Sequence, residues 1–330
     1  MTVPDVFVVV REAGERTAGL ARRLAEAQVG PDAVAMIREV PFAAALRRGM
    51  EIGAGSGRRW TLCLDADVLL RAGAVADLAR AAEAVPEDTF GVTGLVADKL
   101  LCHRRAAGQH LYRTALLETA LRTASFDPAK RRPETVVKKA MSRQGHATVA
   151  TRVGMGLHDF EQSYADIFRK VFVHARKHQR FMAMAGRAWR RQAPEDADYR
   201  VALVSAAVAE AISKGTVPHA GREDESVRID RRDFADGLDA LLRPMGLSEK
   251  SAIRPEDWDE AAIGRILAAN EDAPEYRAAR GLIEATGENR AARIKARLRH
   301  HGPASPLWFA GTCLERSGLW LRRRLGDGDV

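Results

Sequence analysis

Residues 60–70, WTLCLDADVLL, are the stretch of sequence that decides the fold. The first half, Trp60 to Leu64, is a short apolar run after a glycine-rich loop. Such a run is typical of a strand buried on both faces of a parallel sheet. Asp65 and Asp67 stand at its end, and the ligand crevice of an open α/β sheet lies beyond the carboxyl ends of its strands. We therefore predict a central strand that carries two carboxylates to a binding crevice.

The neighbouring segments predict the same architecture. The pattern of apolar residues alternates between strand and helix, with strands at 6–10, 33–40, 60–64 and 90–96 and helices at 15–28, 42–52, 74–84 and 111–124. This β-α-β-α-β order predicts an α/β fold with a mostly parallel, Rossmann-like sheet and helices on both faces. Residues 1–180 are predicted to form this sheet domain. Residues 181–330 are predicted to be a helical C-terminal region, with helices that include 275–286 and 289–300, because no strand pattern recurs there.

Asp65 and Asp67 are the first candidates for chemistry. Alternate residues of an extended chain share a face, so both carboxylates can reach one cation. Carboxylates, together with water and phosphate oxygens, form a hard-oxygen site suited to Mg²⁺ or Mn²⁺. The alternative is that Asp65 caps the following turn while Asp67 is solvated.

A family resemblance adds to this interpretation. Residues 44–53, AALRRGMEIG, followed by WTLCLDADVLL, resemble the central block of GT-A glycosyltransferases (family 2-like), in which a helix leads to a strand that ends in a DxD motif. The resemblance implies a metal-dependent enzyme that moves a sugar from a nucleotide-sugar donor to a glycan or lipid-linked acceptor. Residues 1–180 would be its nucleotide-sugar-binding and catalytic domain, and residues 181–330 would associate with the acceptor or a membrane. In such an enzyme Asp67 would bind Mn²⁺ or Mg²⁺ directly, and Asp65 would reach the metal through water or contact the donor ribose. In the family, an acidic residue after the second strand usually binds the nucleobase of the donor. Arg38 and Glu39 occupy that place here and no such residue is evident, so the resemblance does not predict which nucleotide or sugar is used.

His158 is the predicted third metal ligand. It follows a strand predicted at 146–153 and a glycine turn predicted at 154–156, with Asp159 and Glu161 close by, and imidazole binds Mn²⁺ through a neutral nitrogen. Many GT-A enzymes take such a ligand from this part of the chain; a purely structural histidine is the alternative. On the helix predicted to follow, Asp166 is expected to be exposed, and Lys170 belongs to a basic face that is expected to meet solvent or anionic lipid.

The resemblance makes Asp98 and Asp159 candidates for a catalytic base in an inverting reaction. Asp98 could instead cap a short helix at 99–103, and a retaining enzyme would need no such base.

Basic side chains supply candidates for donor binding. Arg11 follows the first strand and could hold a phosphate, although a surface arginine explains it equally well. Arg47 lies on the helix before the Asp65 strand, where similar proteins often meet the donor. The run KRRPETVVKKAMSR at 130–143 is interpreted as a mobile, solvated charge run, with a loop that closes over a diphosphate as the alternative.

Composition limits the class of protein. The 330 residues, of which 46% are hydrophobic and 29% charged, describe an ordinary soluble protein. No signal peptide is evident, and the three scattered cysteines are expected to be reduced thiols, so we expect a cytoplasmic location. The net charge of +8 implies acidic partners. The tail at 306–324, PLWFAGTCLERSGLWLRRR, suits peripheral contact with an anionic membrane on its inner face, or a helix docked on the core.

Two other classes of protein compete with this interpretation. A nucleotidyltransferase shares the sheet and uses paired acids with Mg²⁺, but the first strand is not followed by a glycine-rich, lysine-bearing loop. A basic nucleic-acid-binding protein would explain the charge. It would not explain acids at the end of a buried strand, and 6% aromatic residues offer few stacking platforms. We therefore expect no nucleic-acid partner, and predict a role in polysaccharide or lipid-linked glycan synthesis.

Overall fold

A computed structural model of the chain describes residues 3–130, 132–177, 179–213 and 238–271. These residues all belong to one compact unit, Met1–Arg277. The helices predicted at 275–286 and 289–300, the tail at 306–324 and Cys313 lie outside the described residues. Cys63 and Cys102 are buried free thiols, and burial raises the pKa of each to about 12.

The described strands form an eight-stranded sheet. They are β1 (Val6–Glu12), β2 (Val34–Arg38), β3 (Trp60–Asp65), β4 (Val68–Leu70), β5 (Gly91–Asp98), β6 (His103–Arg105), β7 (Gln109–Arg113) and β8 (Thr148–His158). Their order is β2-β1-β3-β7-β5-β8-β4, with β6 paired to β5. Strands β1, β2, β3, β5 and β8 run in one direction, and β4, β6 and β7 run in the other. The predicted mostly parallel sheet is confirmed.

Helices cover both faces of this sheet, as predicted. In chain order the described helices are α1 (Ala18–Val29), α2 (Phe42–Ala54), α3 (Ala74–Glu83), α4 (Leu117–Thr123), α5 (Pro133–Arg143), α6 (Tyr164–Lys177), α7 (Gln179–Gln192), α8 (Ala197–Ser213) and α9 (Glu260–Glu271). Leu62 and Leu64 of β3 pack with α1 and α3 on one face. Cys63, which points to the opposite face, packs with α2, α4 and α5. The alternation follows from the two-residue period of a strand.

A second apolar cluster joins α6, α7 and α8. Phe168, Trp189 and Val201 lie in its buried part, together with Leu100 from the loop after β5. The indole of Trp189 also donates a hydrogen bond to the carbonyl oxygen of Leu100 (2.7 Å). These contacts fix α6, which borders the candidate site described below, against the end of β5. Within the described ranges, no helix combines the length and the apolar character needed to span a membrane.

The helix predicted at 111–124 is wrong for its first part. Gln109–Arg113 is strand β7, which runs antiparallel between β3 and β5, and a helix begins only at Leu117. All residues of 109–112 are buried in this position. The burial between two strands overrides the helical pattern, which is a weak local preference. The helix predicted at 99–103 is likewise absent, since residues 99–102 form a turn and His103 begins β6. Asp98 does cap this turn, because its Oδ1 accepts a hydrogen bond from the backbone amide of Leu101 (2.7 Å).

The mobile segment predicted at 130–143 is also wrong from Pro133 onward. Pro133 occupies the start of helix α5, where a proline costs no hydrogen bond. Val137 and Met141, one turn apart, are buried against α2 and α4. Lys139 and Arg143 are exposed, whereas Glu134 and Lys138 turn inward to Arg11 and His110. The high charge density of the run therefore concealed a short apolar stripe.

Glycines 154 and 156, predicted to form a turn, are part of strand β8. A Cβ on Gly156 would lie 1.9 Å from the carbonyl oxygen of Leu69. The missing side chain therefore lets the short strand β4 pair with β8, with Leu70 opposite Gly156 and Val68 opposite His158. β4 itself was not predicted.

Candidate active site at the carboxyl edge of the sheet

Strand register brings the predicted site residues together. β5 and β8 are parallel neighbours, and Asp98 at the end of one stands opposite His158 at the end of the other. β4 pairs Val68 with His158, which places Asp67 beside the same histidine. The backbone amide of Asp159 donates to the carbonyl oxygen of Asp67 (3.3 Å). Residues from three distant parts of the chain thus converge at one edge of the sheet.

Gly108 lets the end of β3 lie close to His158. Its carbonyl oxygen accepts a hydrogen bond from the amide of Asp65 (2.7 Å), and its φ is +67°. A Cβ at this position would lie 2.6 Å from Val68 Cγ2 and 3.1 Å from His158 Cδ2. Glycine is the residue that combines this backbone conformation with such close packing.

The two ring nitrogens of His158 face different carboxylates. Its Nε2 faces Asp67, with 3.6 Å to Oδ1. Its Nδ1 lies 3.1 Å from Oδ2 of Asp98 and 3.1 Å from Oδ2 of Asp159. Asp98 is 0% exposed and also accepts from Nε of Arg105 (2.5 Å). A carboxylate on one imidazole nitrogen fixes the ring and leaves the other nitrogen to face Asp67.

Lys170 of α6 reaches into this cluster. Its ammonium donates to Oδ2 of Asp67 (2.6 Å) and to Oδ1 of Asp159, and its side chain is 14% exposed. The sequence had placed Lys170 on the solvent-facing basic side of this helix, which is wrong. Asp166 of the same helix, expected to be exposed, is 5% exposed and bonds with Ser163 at the helix start.

The pKa values reflect strong electrostatic coupling within this cluster. Burial lowers the pKa of His158, but the carboxylates of Asp159 and Asp67 outweigh it and raise that pKa to about 10. Burial raises the pKa of Asp67, yet Lys170 and His158 hold it below its ordinary value. Burial also raises the pKa of Asp98, but Arg105 and His158 keep that pKa well below the usual range. Without a metal, the acids are therefore ionised and His158 is protonated at neutral pH, so Nε2 must lose its proton before it can bind a cation.

A second polar network surrounds Arg11 and Asp65. One Arg11 nitrogen, Nη2, lies 2.7 Å from Asp65 Oδ1 and 3.0 Å from Glu134 Oε1. Glu134 in turn meets Nε2 of His110 (3.0 Å), and Lys138 lies against the same ring (3.2 Å to Nδ1). Burial raises the pKa of Asp65 to about 6 although Arg11 opposes it. Asp65 keeps a 27% exposed side chain, so one face of the network meets solvent.

The predicted site residues thus fall into separate groups in the structure. Asp67, Asp98, His158 and Asp159 share one cluster, and Asp65 pairs instead with Arg11, which is buried rather than on the surface. The guanidinium of Arg47 is exposed, pairs with Glu51 (2.9 Å) and lies over the ring of Phe126.

Sequence reasoning missed Lys170, Arg105, Glu134 and His110. Glu134 had a usable signal, because an acid directly after a proline marks the first turn of a helix. The other three are ordinary polar residues in sequence, and only the packing of β6, β7 and α6 brings them to the acids.

The cluster fits a divalent cation. One ligand atom each from Asp67, His158 and Asp159 can be chosen so that all lie within 4.8 Å of one another. Asp67 Oδ1 is buried and has no hydrogen-bond partner, which is costly unless a cation meets it. Two carboxylates and an imidazole suit Mn²⁺, and Mg²⁺ through the oxygens.

No family model and no curated protein sequence matches the chain. Among solved structures, the mannosyltransferase PcManGT from Pyrobaculum calidifontis, described in complex with GDP-Man and Mn²⁺, is 14% identical, with a TM-score of 0.33, 73% of this chain and 81% of that one covered. A glycosyltransferase involved in glycosylation of the major capsid of PBCV-1 is 12% identical, with a TM-score of 0.31 and coverage of 45% and 83%. A cytidylyltransferase from Leptospira borgpetersenii is 9% identical, with a TM-score of 0.33 and coverage of 46% and 76%. Likeness at this level assigns no activity to the chain.

Proposed function

We propose that the protein is a GT-A glycosyltransferase that moves a sugar from a nucleotide-sugar donor to a glycan or lipid-linked acceptor with the help of Mn²⁺ or Mg²⁺. The observation that carries the proposal is the meeting of Asp67, His158 and Asp159 at the carboxyl edge of the sheet, next to Asp65. This edge is where an open α/β sheet places its ligand.

In this proposal Asp67 and Nε2 of His158 hold the metal, with Asp159 as the further ligand. When bound, the cation would supply Lewis-acid neutralisation of the leaving nucleoside diphosphate. Asp98 has a positioning role, because its carboxylate faces Nδ1 of His158 and keeps Nε2 directed at Asp67.

Asp65 and Arg11 are the proposed donor-binding pair. The guanidinium holds one oxygen of Asp65, and the partly exposed carboxylate can accept a bond from a ribose hydroxyl or reach the metal through water. Arg47, on the exposed face of α2, would meet the donor only at its outer edge. We assign no base or sugar preference to the donor.

The candidate base for an inverting reaction is Asp159 rather than Asp98. Asp98 is entirely buried between Arg105 and His158, so an acceptor hydroxyl has no access to it. Asp159 follows β8 and could act as the base only if Asp67 and His158 hold the metal without it. Burial raises its pKa, but His158 and Lys170 hold that pKa below the ordinary value, which makes Asp159 a weak base. A retaining reaction, which needs no such base, is equally compatible with these residues.

A transfer assay tests the proposal. The protein is incubated with Mn²⁺, a lipid extract and a panel of radiolabelled UDP-, GDP- and CMP-sugars, and label transferred to lipid or water is counted. We expect transfer from one donor class, its loss with EDTA, and a fall of about 100-fold or more in Asp67→Asn.

The matched control is Asp77→Asn, since Asp77 pairs with Arg71 and Arg80 on α3, outside the cluster. It should retain activity. Absence of transfer from every donor, together with pyrophosphate release from a nucleoside triphosphate and a sugar phosphate, would replace the proposal with a nucleotidyltransferase.

A further inference from the structure

The side chain of Lys170 contacts two of the three residues that could hold a metal ion. Its Nζ lies 2.6 Å from Asp67 Oδ2 and also contacts Asp159 Oδ1. Both acids belong to the set whose ligand atoms converge with His158. One ammonium therefore binds one oxygen of each of two proposed metal-binding carboxylates.

Positively charged side chains already pair with the carboxylates of this cluster. Asp67, Asp98 and Asp159 supply three carboxylates. Arg105 pairs with Asp98, and Lys170 bridges the other two acids. A divalent cation that binds Asp67 and Asp159 would meet the ammonium of Lys170 at short range, where like charges repel strongly in a buried site.

We propose that Lys170 is a built-in competitor for the divalent cation, so that metal loading requires its ammonium to leave Asp67 and Asp159. This inference rests on the proposed function for the identity of the metal site and adds its regulation. In the metal-free protein Lys170 replaces the missing charge, which avoids leaving two buried carboxylates without a partner. The geometry thus assigns Lys170 a role that a solvent-exposed helical lysine would not have.

The competition predicts that neutralising Lys170 strengthens metal binding. Mn²⁺ binding to the full chain is measured without nucleotide, from the loss of the electron paramagnetic resonance signal of free aqueous Mn²⁺. Lys170→Met and Lys170→Gln should each bind about tenfold or more tightly than the native chain, since a nearby positive charge has been removed. Lys170→Arg, which keeps the charge, should bind as weakly as the native chain.

Lys99 offers a closely matched control. Its Nζ bridges Asp196 (2.9 Å) and Asp198 (2.5 Å), and its side chain is 13% exposed. Lys99→Met removes an equally buried lysine that bridges two carboxylates outside the cluster, so it should leave Mn²⁺ affinity unchanged. Far-ultraviolet circular dichroism checks that each variant is folded, and Lys170→Gln retains a hydrogen-bond donor if Lys170→Met fails this check.

Equal Mn²⁺ affinity in the native chain and both neutral Lys170 variants would overturn the inference. So would a similar gain in Lys99→Met, because the effect would then be one of net charge. Failure of all variants to bind Mn²⁺ would overturn it as well. In each case the transfer assay with EDTA judges the glycosyltransferase proposal separately, because it reads donor use rather than metal affinity.

Discussion

The carboxylate of Asp98 is entirely out of solvent, between the guanidinium of Arg105 and the imidazole of His158. A buried charge is tolerated because both neighbours are cations and the amide of Leu101 donates to it. Removal of the charge would leave the guanidinium of Arg105 without its paired carboxylate, although His158 would keep Asp67 and Asp159 beside it. At the scale of single residues, Asp98 therefore supports both stability and the orientation of His158.

The substitution Asp98→Asn tests this double role. We expect it to lower the free energy of unfolding by about 3 kcal/mol, because breaking a buried ion pair leaves an uncompensated charge. Chemical denaturation of the native and variant chains measures the difference. Asp77→Asn, at a carboxylate paired on the surface of α3, should cost about 0.5 kcal/mol or less. Equal losses in the two variants would contradict the account.

Glu134 predicts a pH dependence of stability. Burial raises its pKa, but His110 and Arg11 outweigh burial and hold the pKa below the ordinary value. Because the folded-state pKa is depressed, the stabilisation is present above the unfolded value near pH 4.5 and is lost as the pH falls below it. When the pH is lowered from about 5 to about 3, the free energy of unfolding of the native chain should fall by roughly 1 to 2 kcal/mol more than that of Glu134→Gln. Denaturant titrations at both pH values measure this, and parallel losses would refute it.

Some residues of the cluster could be selected as candidates from the sequence, and others could not. Asp67 and His158 could be predicted, because a carboxylate after a buried strand and a histidine between glycines and acids are local patterns. Lys170 could not be predicted from its own surroundings, since its neighbours Arg169 and Arg176 are equally basic. Its contacts with Asp67 and Asp159 depend on how α6 docks against the sheet.

At the scale of elements, β4 and β8 decide whether the cluster forms. Their pairing sets Val68 opposite His158, and Gly156 permits it by allowing the carbonyl oxygen of Leu69 to approach. The strand pattern predicted at 146–153 therefore stopped too early, because the glycines suggested a turn. The close approach depends on a strand, β4, that comprises only Val68–Leu70 and has no periodicity of its own.

Gly156→Ala tests the importance of this pairing. The added methyl group would overlap the backbone of Leu69, so β4 must shift, and we expect a loss of about 3 kcal/mol in stability or a failure to fold. Gly154→Ala is the control, since a Cβ at that position has no heavy atom within 4 Å and should change stability by about 0.5 kcal/mol or less. Thermal unfolding distinguishes the two. A Gly156→Ala variant as stable as Gly154→Ala would contradict the proposed register.

Helix α5 illustrates a second limit at this scale. A run with many basic residues favours a solvated interpretation, yet Val137 and Met141 suffice to hold one face of the helix on the core. Pro133 and Glu134, which suit a helix start, were the local signals for order. The high charge of the run therefore gave no indication that Val137 and Met141 are buried.

At the scale of the whole molecule, the alternation of strands and helices in the first hundred residues was sufficient to predict the mostly parallel sheet. β2 lies beside β1, as the short crossover between these successive parallel strands predicts, whereas β3 lies on the other side of β1, which the alternation alone does not specify. Strand β7 was not predicted, because its place between β3 and β5 is set by burial on both sides. The acids of the crevice, Asp65, Asp98 and Asp159, lie at the ends of β3, β5 and β8 or directly after them.

The central claim is that this crevice binds a nucleotide through a metal held by Asp67. Thermal unfolding with UDP, GDP, CMP and ADP, each with and without Mn²⁺, tests it most directly, because a ligand that binds the folded state raises the midpoint. We predict a metal-dependent rise for one nucleotide in the native chain and in Asp77→Asn, and its loss in Asp67→Asn. An identical rise in Asp67→Asn, or no rise with any nucleotide, would contradict the account.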